Sequence, residues 1–253
     1  MIGDDKINTK YEDKIQKQLF SKKQSRVSKY MDLFVGKRNI LSLLKYELII
    51  NLFQNMPGAV GIFLRNFFYP LLFKKVGKGV SFGKSITIRH PCKISIEDNV
   101  VIDDNCMLDA KGLDNQGIII KEGAYIGRNS ILSCKNGTII ISKNVNIGFN
   151  CDIFSASKVK IGENTLIAAY SYIIGGGHNY ERTDIPIAEQ EKHSHGIEVG
   201  KNCWIGAGVN VLDNTTIGNE TIIGAGAVVT KDMPPYSIAA GIPAQVIKSR
   251  KNN

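Results

Sequence analysis

From residue 76 onward an aliphatic side chain returns every six positions, a period that fits neither an amphipathic helix nor a half-buried strand. The blocks run Phe82/Ile88/Ile94, Ile96/Ile102/Leu108, Ile120/Ile126/Leu132, Ile141/Ile147/Ile153, Ile161/Ile167/Ile173, Val199/Ile205/Val211 and Ile217/Ile223/Val229. The fifth position of each hexad is small or β-branched, as in Val100, Cys106, Ser130, Cys151, Thr165, Cys203 and Ala227. The fourth is often Asn (Asn99, Asn105, Asn129, Asn144, Asn150, Asn164, Asn202), which tolerates the left-handed backbone that a tight corner demands. Each hexad thus predicts one short strand and one corner. Three hexads close a triangular coil, and stacked coils rise by roughly the 4.8 Å spacing of paired strands. The fold class predicted is mainly β: a parallel β-helix of about seven coils.

Upstream the pattern changes. Leu41 to Phe53 and Ile62 to Phe73 are long apolar runs that read as two helices split at Met56-Pro-Gly58. Lys45, Glu47, Asn51 and Arg65 interrupt them, so neither supplies the roughly 20 apolar residues of a bilayer crossing. Residues 1–30 are polar, with little periodicity, and predict a weakly ordered arm. The organisation expected is a polar arm over 1–32, an amphipathic helical segment over 33–75, a β-helix domain over 76–230 and a short C-terminal tail over 231–253. Within the β-helix the step from Ile173 to Val199 is 26 residues instead of 6. The loop 174–196 is therefore where chemistry is sought.

Charge sharpens the N-terminal reading. Residues 1–75 hold 14 Lys or Arg against 6 Asp or Glu, which is +8 of the chain's formal +9. Leu and aromatic side chains beside Lys37, Arg38, Arg65, Lys74 and Lys75 fit the interface of an anionic membrane, and equally a contact with the following domain or a neighbouring subunit. Five cysteines without a C-x-x-C pair argue against a disulfide framework or zinc knuckle. The polar N-terminus lacks an apolar signal region, so a reducing, cytoplasmic setting is expected, peripheral at the inner face of the membrane if the helices bind lipid.

The runs Ile197-Glu-Val-Gly-Lys-Asn-Cys-Trp-Ile-Gly-Ala-Gly-Val209, Ile217-Gly-Asn-Glu-Thr-Ile-Ile-Gly-Ala-Gly-Ala-Val-Val-Thr-Lys-Asp-Met-Pro-Pro235 and Ala240-Gly-Ile-Pro-Ala244 resemble the hexapeptide-repeat acyltransferases. The resemblance covers roughly residues 76 to 250 and is nearest to sugar and polysaccharide O-acetyltransferases of the galactoside and maltose type. It implies a left-handed β-helix, a homotrimer with active sites between subunits, and acetyl-coenzyme A as acyl donor. Ile174-Gly-Gly-Gly-His-Asn-Tyr180 resembles the family's catalytic-histidine segment, which makes His178 the expected general base, with Asn179 and Tyr180 beside it as acceptor contacts. For the donor the resemblance implies Trp204, Ala207, Gly224, Ala225, Thr230, Lys231 and Lys248; Gln245 stands where relatives commonly carry Arg. Asn150 is similar to an acceptor-binding Asn of the sugar enzymes and equally fits a corner. Ser155 and Ala156 replace the acidic residues that follow that Asn in relatives, which speaks against small free galactosides or maltose as acceptor.

A sugar hydroxyl is a poor nucleophile while protonated, and imidazole, with a pKa near neutrality, suits the task of base. No Ser/His/Asp order or activated Cys is visible, which favours direct attack by the acceptor over an acyl-enzyme. The predicted reaction is acetylation of a sugar hydroxyl in a surface polysaccharide or a lipid-linked precursor. The alternatives are N-acetylation of a nucleotide-linked amino sugar, acetylation of an antibiotic, and a non-catalytic solenoid scaffold. His193 and His195, two apart on a loop, are weak evidence for a metal and read as solvated; His90 reads as structural. No metal and no nucleic-acid partner is expected.

Overall fold

The computed structural model describes residues 24–251; the arm expected over 1–32 lies mostly outside the described residues. From Lys75 onward three parallel sheets form the faces of a solenoid. The first face stacks Lys75–Val76, Ile94–Ile96, Ile118–Ile120, Thr138–Ile141, Lys158–Ile161, Ile197–Val199 and Thr215–Ile217. The second runs from Ser81–Phe82 to Ser237–Ala240 and the third from Thr87–Arg89 to Val228–Val229. The strand Ser237–Ala240 opens a further turn, so the solenoid has about eight turns, one more than the hexads predict, and Gln245–Ser249 closes its end antiparallel. The seven steps from the first turn to the eighth, at about 4.8 Å each, make the stack about 34 Å long.

The hexad positions behave as their chemistry requires. Ile102, Ile120, Ile126, Ile141, Ile147 and Val211 are fully buried, stacked in register down the interior. Val76, which the hexad blocks omit, is the true partner of Ile96, while Ile94 shares a strand with Ile96 instead of completing the first turn. All seven fourth-position asparagines have φ between 54° and 60°. They form two corner columns, and in one of them the amides bond turn to turn: Asn144 donates to Asn164 (3.1 Å), and Asn164 to Asn202 (3.2 Å). Cys106, Cys151 and Cys203 are buried at corners, and all five cysteines are free.

Every departure from the six-residue step falls at one corner, where the chain passes from the third face back to the first. Steps there are 8 residues (Ile88 to Ile96), 12 (Leu108 to Ile120), 9 (Leu132 to Ile141), 8 (Ile153 to Ile161), 26 (Ile173 to Val199) and, at the end, 4 (Val229 to Met233). The resulting loops hold one another. Lys93 Nζ donates to the carbonyls of Gly112 and Leu113, Asn115 donates to Gly137 (2.8 Å), and Ser194 Oγ donates to Ser157 (2.8 Å).

The helices α1 (Arg26–Tyr30), α2 (Ile40–Phe53) and α3 (Gly58–Phe68) precede the first turn. The solenoid's hydrogen bonds run along its axis, so the first turn has an open edge of unpaired backbone groups. α2, α3 and the turn between them close it: Tyr46 Oη donates to the carbonyl of Ile88 (2.7 Å), Gln54 to Ile86 (3.0 Å) and Arg65 Nε to Phe82 (3.1 Å). The N–H of Phe82 in turn donates to Asn66 Oδ1 (3.0 Å). Phe73 stacks on Phe82, Tyr69 meets the same ring edge-on, and together they plug the interior.

Candidate active site

The long excursion leaves the third face after Tyr172–Gly175 and returns at Ile197–Val199. It opens and closes as a short antiparallel ribbon, Gly177–His178 against Lys192–His193. Space explains the glycines at its mouth: a Cβ on Gly177 would lie 2.9 Å from His193 Nε2, and one on Gly176, which has φ 142°, 2.9 Å from the Ala156 side chain. Gln190, buried, accepts from the N–H of Arg182 (3.2 Å) and donates to its carbonyl (2.7 Å), which ties the outer part of the loop together.

His178 lies on the exposed side of this ribbon and its ring makes no hydrogen bond among the described residues. Asn179 turns its Oδ1 to His193 Nδ1 (2.8 Å), and the Nδ1–H donates to it. His195 Nδ1 stands 3.4 Å from Asp213 Oδ2, and the same carboxylate accepts the backbone N–H groups of His195 and Gly196, both at 2.9 Å. The rings of His193 and His195 are 5.7 Å apart. Both histidines are therefore half-buried and oriented, where the sequence reads them as solvated. Tyr180 is exposed. Asp213 and Gln190, which shape the loop, carry no sequence signal: neither belongs to a hexad position, and their partners lie across a corner or eight residues away along the loop.

His90 sits at the same corner in the first turn, buried, with Nε2 2.6 Å from the carbonyl of Asp32. Its role is structural.

Asn150 occupies the other corner, between the second and third faces, with φ 54°. Around it are exposed and half-buried aromatics: Arg128 lies over the Phe149 ring at 4.7 Å, and Phe149 meets Tyr170 edge-on at 5.4 Å. Two residues on, Asp152 faces outward from the third face in register with Tyr172, and burial pushes its carboxyl above the usual carboxylate range. Burial and then the Asp152 charge raise the Tyr172 phenol.

The residues matched to the donor fall in two places. Ala207, Gly224 and Ala225 continue the corner of Asn150 into the sixth and seventh turns. A Cβ on the neighbouring Gly208 or Gly226 would meet nothing within 4 Å, so this corner is open and its backbone accessible. Trp204, half-exposed, stands beside it on the second face, in register with Ile222, then Ile238, then Lys248. Thr230 and Lys231, both exposed, follow Val228–Val229 and lie at the far edge of the third face. Trp204, Ala207, Gly224 and Ala225 thus lie before the third face, Lys248 lies three strands on from Trp204, and His178, Thr230 and Lys231 follow the third face at its other edge.

The model of the bacterial transferase hexapeptide family (six repeats) matches residues 196–231. Over 141 residues the chain is 38% identical to the galactoside O-acetyltransferase of Escherichia coli K12, an alignment covering 51% of this chain and 66% of that protein, just under two thirds of its length. Over 168 residues it is 30% identical to the putative lipopolysaccharide biosynthesis O-acetyl transferase WbbJ of the same strain, covering 64% of this chain and 77% of the relative. A mutant of AntD, an N-acyltransferase from Bacillus cereus solved with dTDP and coenzyme A, shares the fold at 21% identity and a TM-score of 0.54, over 74% of this chain and 89% of that one.

Proposed function

From the premise that this chain belongs to the hexapeptide-repeat transferases, we propose that it transfers an acetyl group from acetyl-coenzyme A to a sugar hydroxyl. The acceptor proposed is a sugar of a surface polysaccharide or its lipid-linked oligosaccharide precursor, met in the cytoplasm at the inner face of the membrane. Two relatives named as O-acetyltransferases support this, one of them assigned to lipopolysaccharide biosynthesis. The observation that carries it is His178, an exposed imidazole at the mouth of the one long excursion from a rigid wall.

Acetyl-coenzyme A supplies the acetyl group as a thioester. The open corner of Ala207 and Ala225 fits its narrow pantetheine arm, because backbone groups are reachable there and no side chain obstructs them. Lys231 and Lys248 are exposed cations of the kind that hold phosphates. His178 takes the proton from the acceptor hydroxyl as that oxygen attacks the acetyl carbon, and returns it to the departing sulfur. Asn150, Asn179 and Tyr180 are the acceptor contacts proposed. Because His178 and the Ala207/Ala225 corner stand at opposite edges of the third face, the working site is read as composite, formed between neighbouring prisms of a homotrimer.

The test is release of coenzyme A thiol from acetyl-coenzyme A across a panel of oligosaccharide acceptors. His178→Ala should lower the rate by roughly 10² to 10⁴. His195, oriented by Asp213, is the competing base; full activity in His178→Ala with loss in His195→Ala would transfer the role to it. Mass spectrometry of the products separates O- from N-acetylation, and acetylation confined to amines would replace the proposed reaction by that of an amino-sugar N-acetyltransferase.

A further inference from the structure

The helical cap has two faces, and among the described residues only one has a partner. Tyr46 and Ile49 of α2 and Gly61 and Arg65 of α3 are buried toward the first turn. On the opposite side Leu41, Leu44, Leu48 and Leu52 recur at the spacing of one helical stripe, each more than half exposed, and Phe63 and Phe67 do the same on α3. A monomeric soluble surface rarely carries so many large apolar side chains together. Among the described residues no helix is long and apolar enough to cross a bilayer.

The charge around this face selects its occupant. Residues 24–84 contain ten Lys or Arg and two acidic residues. Of those two, Asp32 is paired with Arg38 (2.8 Å) and Glu47 accepts from Tyr30 and Asn51. Lys37 precedes the stripe, Lys45 lies within it, and Lys74 and Lys75 follow Leu71; all four are exposed. A second copy of the cap would bring the same positive charge face to face, whereas an anionic lipid surface receives the Leu and Phe side chains among its acyl chains and the lysines among its headgroups.

We propose that the outer face of α2 and α3 docks the chain on an anionic membrane surface, with the solenoid axis standing away from the bilayer. The direction follows from the cap itself, which bonds to the open edge of the first turn along the axis. His178 leaves the fifth turn. Four turns at about 4.8 Å hold it about 19 Å beyond the cap. Resting on the proposed reaction, this spacing selects an acceptor sugar some distance out along a lipid-linked oligosaccharide, not the sugar joined to the lipid.

The docking test needs neither donor nor acceptor, so its failure is separate from failure of the acetyl-transfer reading. Purified full-length protein is co-sedimented with phosphatidylcholine vesicles with and without phosphatidylglycerol. Binding is expected with the anionic vesicles, reduced at least tenfold in neutral ones and weakened by salt. The exposed-site variant Leu44→Gln/Leu48→Gln/Phe63→Gln should lose it at unchanged circular dichroism, and Lys74→Glu/Lys75→Glu should lose it without touching the apolar stripe. An environment-sensitive label at Leu44→Cys should shift to the blue on vesicle addition, while the same label at Ile187→Cys, exposed on the long loop, should not. Equal binding to neutral vesicles, a shift at position 187 alone, or no binding to the anionic vesicles overturns the proposal; a changed oligomeric mass in the Gln variant would then make the face a subunit contact.

Discussion

His90 shows how much of a residue's chemistry is set by what its second nitrogen meets. Its Nε2–H donates to the carbonyl of Asp32, and Nδ1 is buried with no partner. Protonation would place an N–H where nothing accepts it, so burial holds the imidazole below the ordinary histidine range, against the pull of Asp109 and with the push of Lys93 and Lys111. A depressed folded pKa means that the unfolded chain binds this proton more readily. Stability is therefore complete above the unfolded histidine value of about 6.5 and declines as pH falls from there toward the folded value, with a slope of at most about 1.4 kcal/mol per pH unit. Urea midpoints at pH 7.5 and pH 5 should show a gap that shrinks in His90→Asn, a side chain that tolerates the φ of 53° found here. An unchanged gap would assign the pH dependence elsewhere. Sequence alone read His90 as structural for want of a neighbouring pattern; the orphaned Nδ1 supplies the cause. For Asn150 both readings were open, and its φ of 54° establishes the corner without removing its side chain from the proposed acceptor side.

At the scale of elements, legibility follows periodicity. The strand and corner positions from Ile96 to Val229 were readable because each repeats the same steric demand six residues on, and the two helices from Leu41 and Ile62 because Pro57 and Gly58 separate two apolar runs. Val76 escaped because the strand after it in the same sheet carries two aliphatic residues, Ile94 and Ile96, and spacing alone cannot say which one pairs. The long loop was found by its length, yet its shape was not, because the contacts that fix it join residues far apart in sequence: His193 to Asn179, and Asp213 to His195 and Gly196. Asp213 is the one group that receives both N–H bonds at the loop's return. In Asp213→Asn one oxygen is replaced by a donor facing an N–H, so one of those bonds is lost and the loop end is released. Backbone exchange over 176–196 should quicken while the thermal midpoint of the solenoid stays near wild type. The rate of acetyl transfer should fall on the order of 10- to 100-fold through misplacement of His178. Unchanged exchange in the loop would remove Asp213 from that role.

At the scale of the whole molecule, the solenoid keeps its two sets of proposed functional residues apart. All insertions sit at the corner between the third and first faces, and His178 projects from the largest of them, while the small residues of the donor corner lie on the opposite edge of the third face in the next two turns. A rigid hydrogen-bonded sheet separates them, and no hinge in the wall could bring them together. A neighbouring prism can. In a cyclic trimer each contact sets one edge of a protomer against the other edge of the next, so three composite sites arise from one kind of contact. The consequence is measurable by mixing two inactive variants. His178→Ala removes the proposed base but keeps the donor corner; Ala225→Trp fills that corner and keeps His178. Each alone should be inactive. Co-refolded in equal amounts, they place an intact His178 beside an intact donor corner at about a quarter of the contacts, given random assembly of a cyclic trimer. Thiol release should return to about that fraction of wild type, and a mixture as inactive as its components would show that base and donor corner belong to the same protomer.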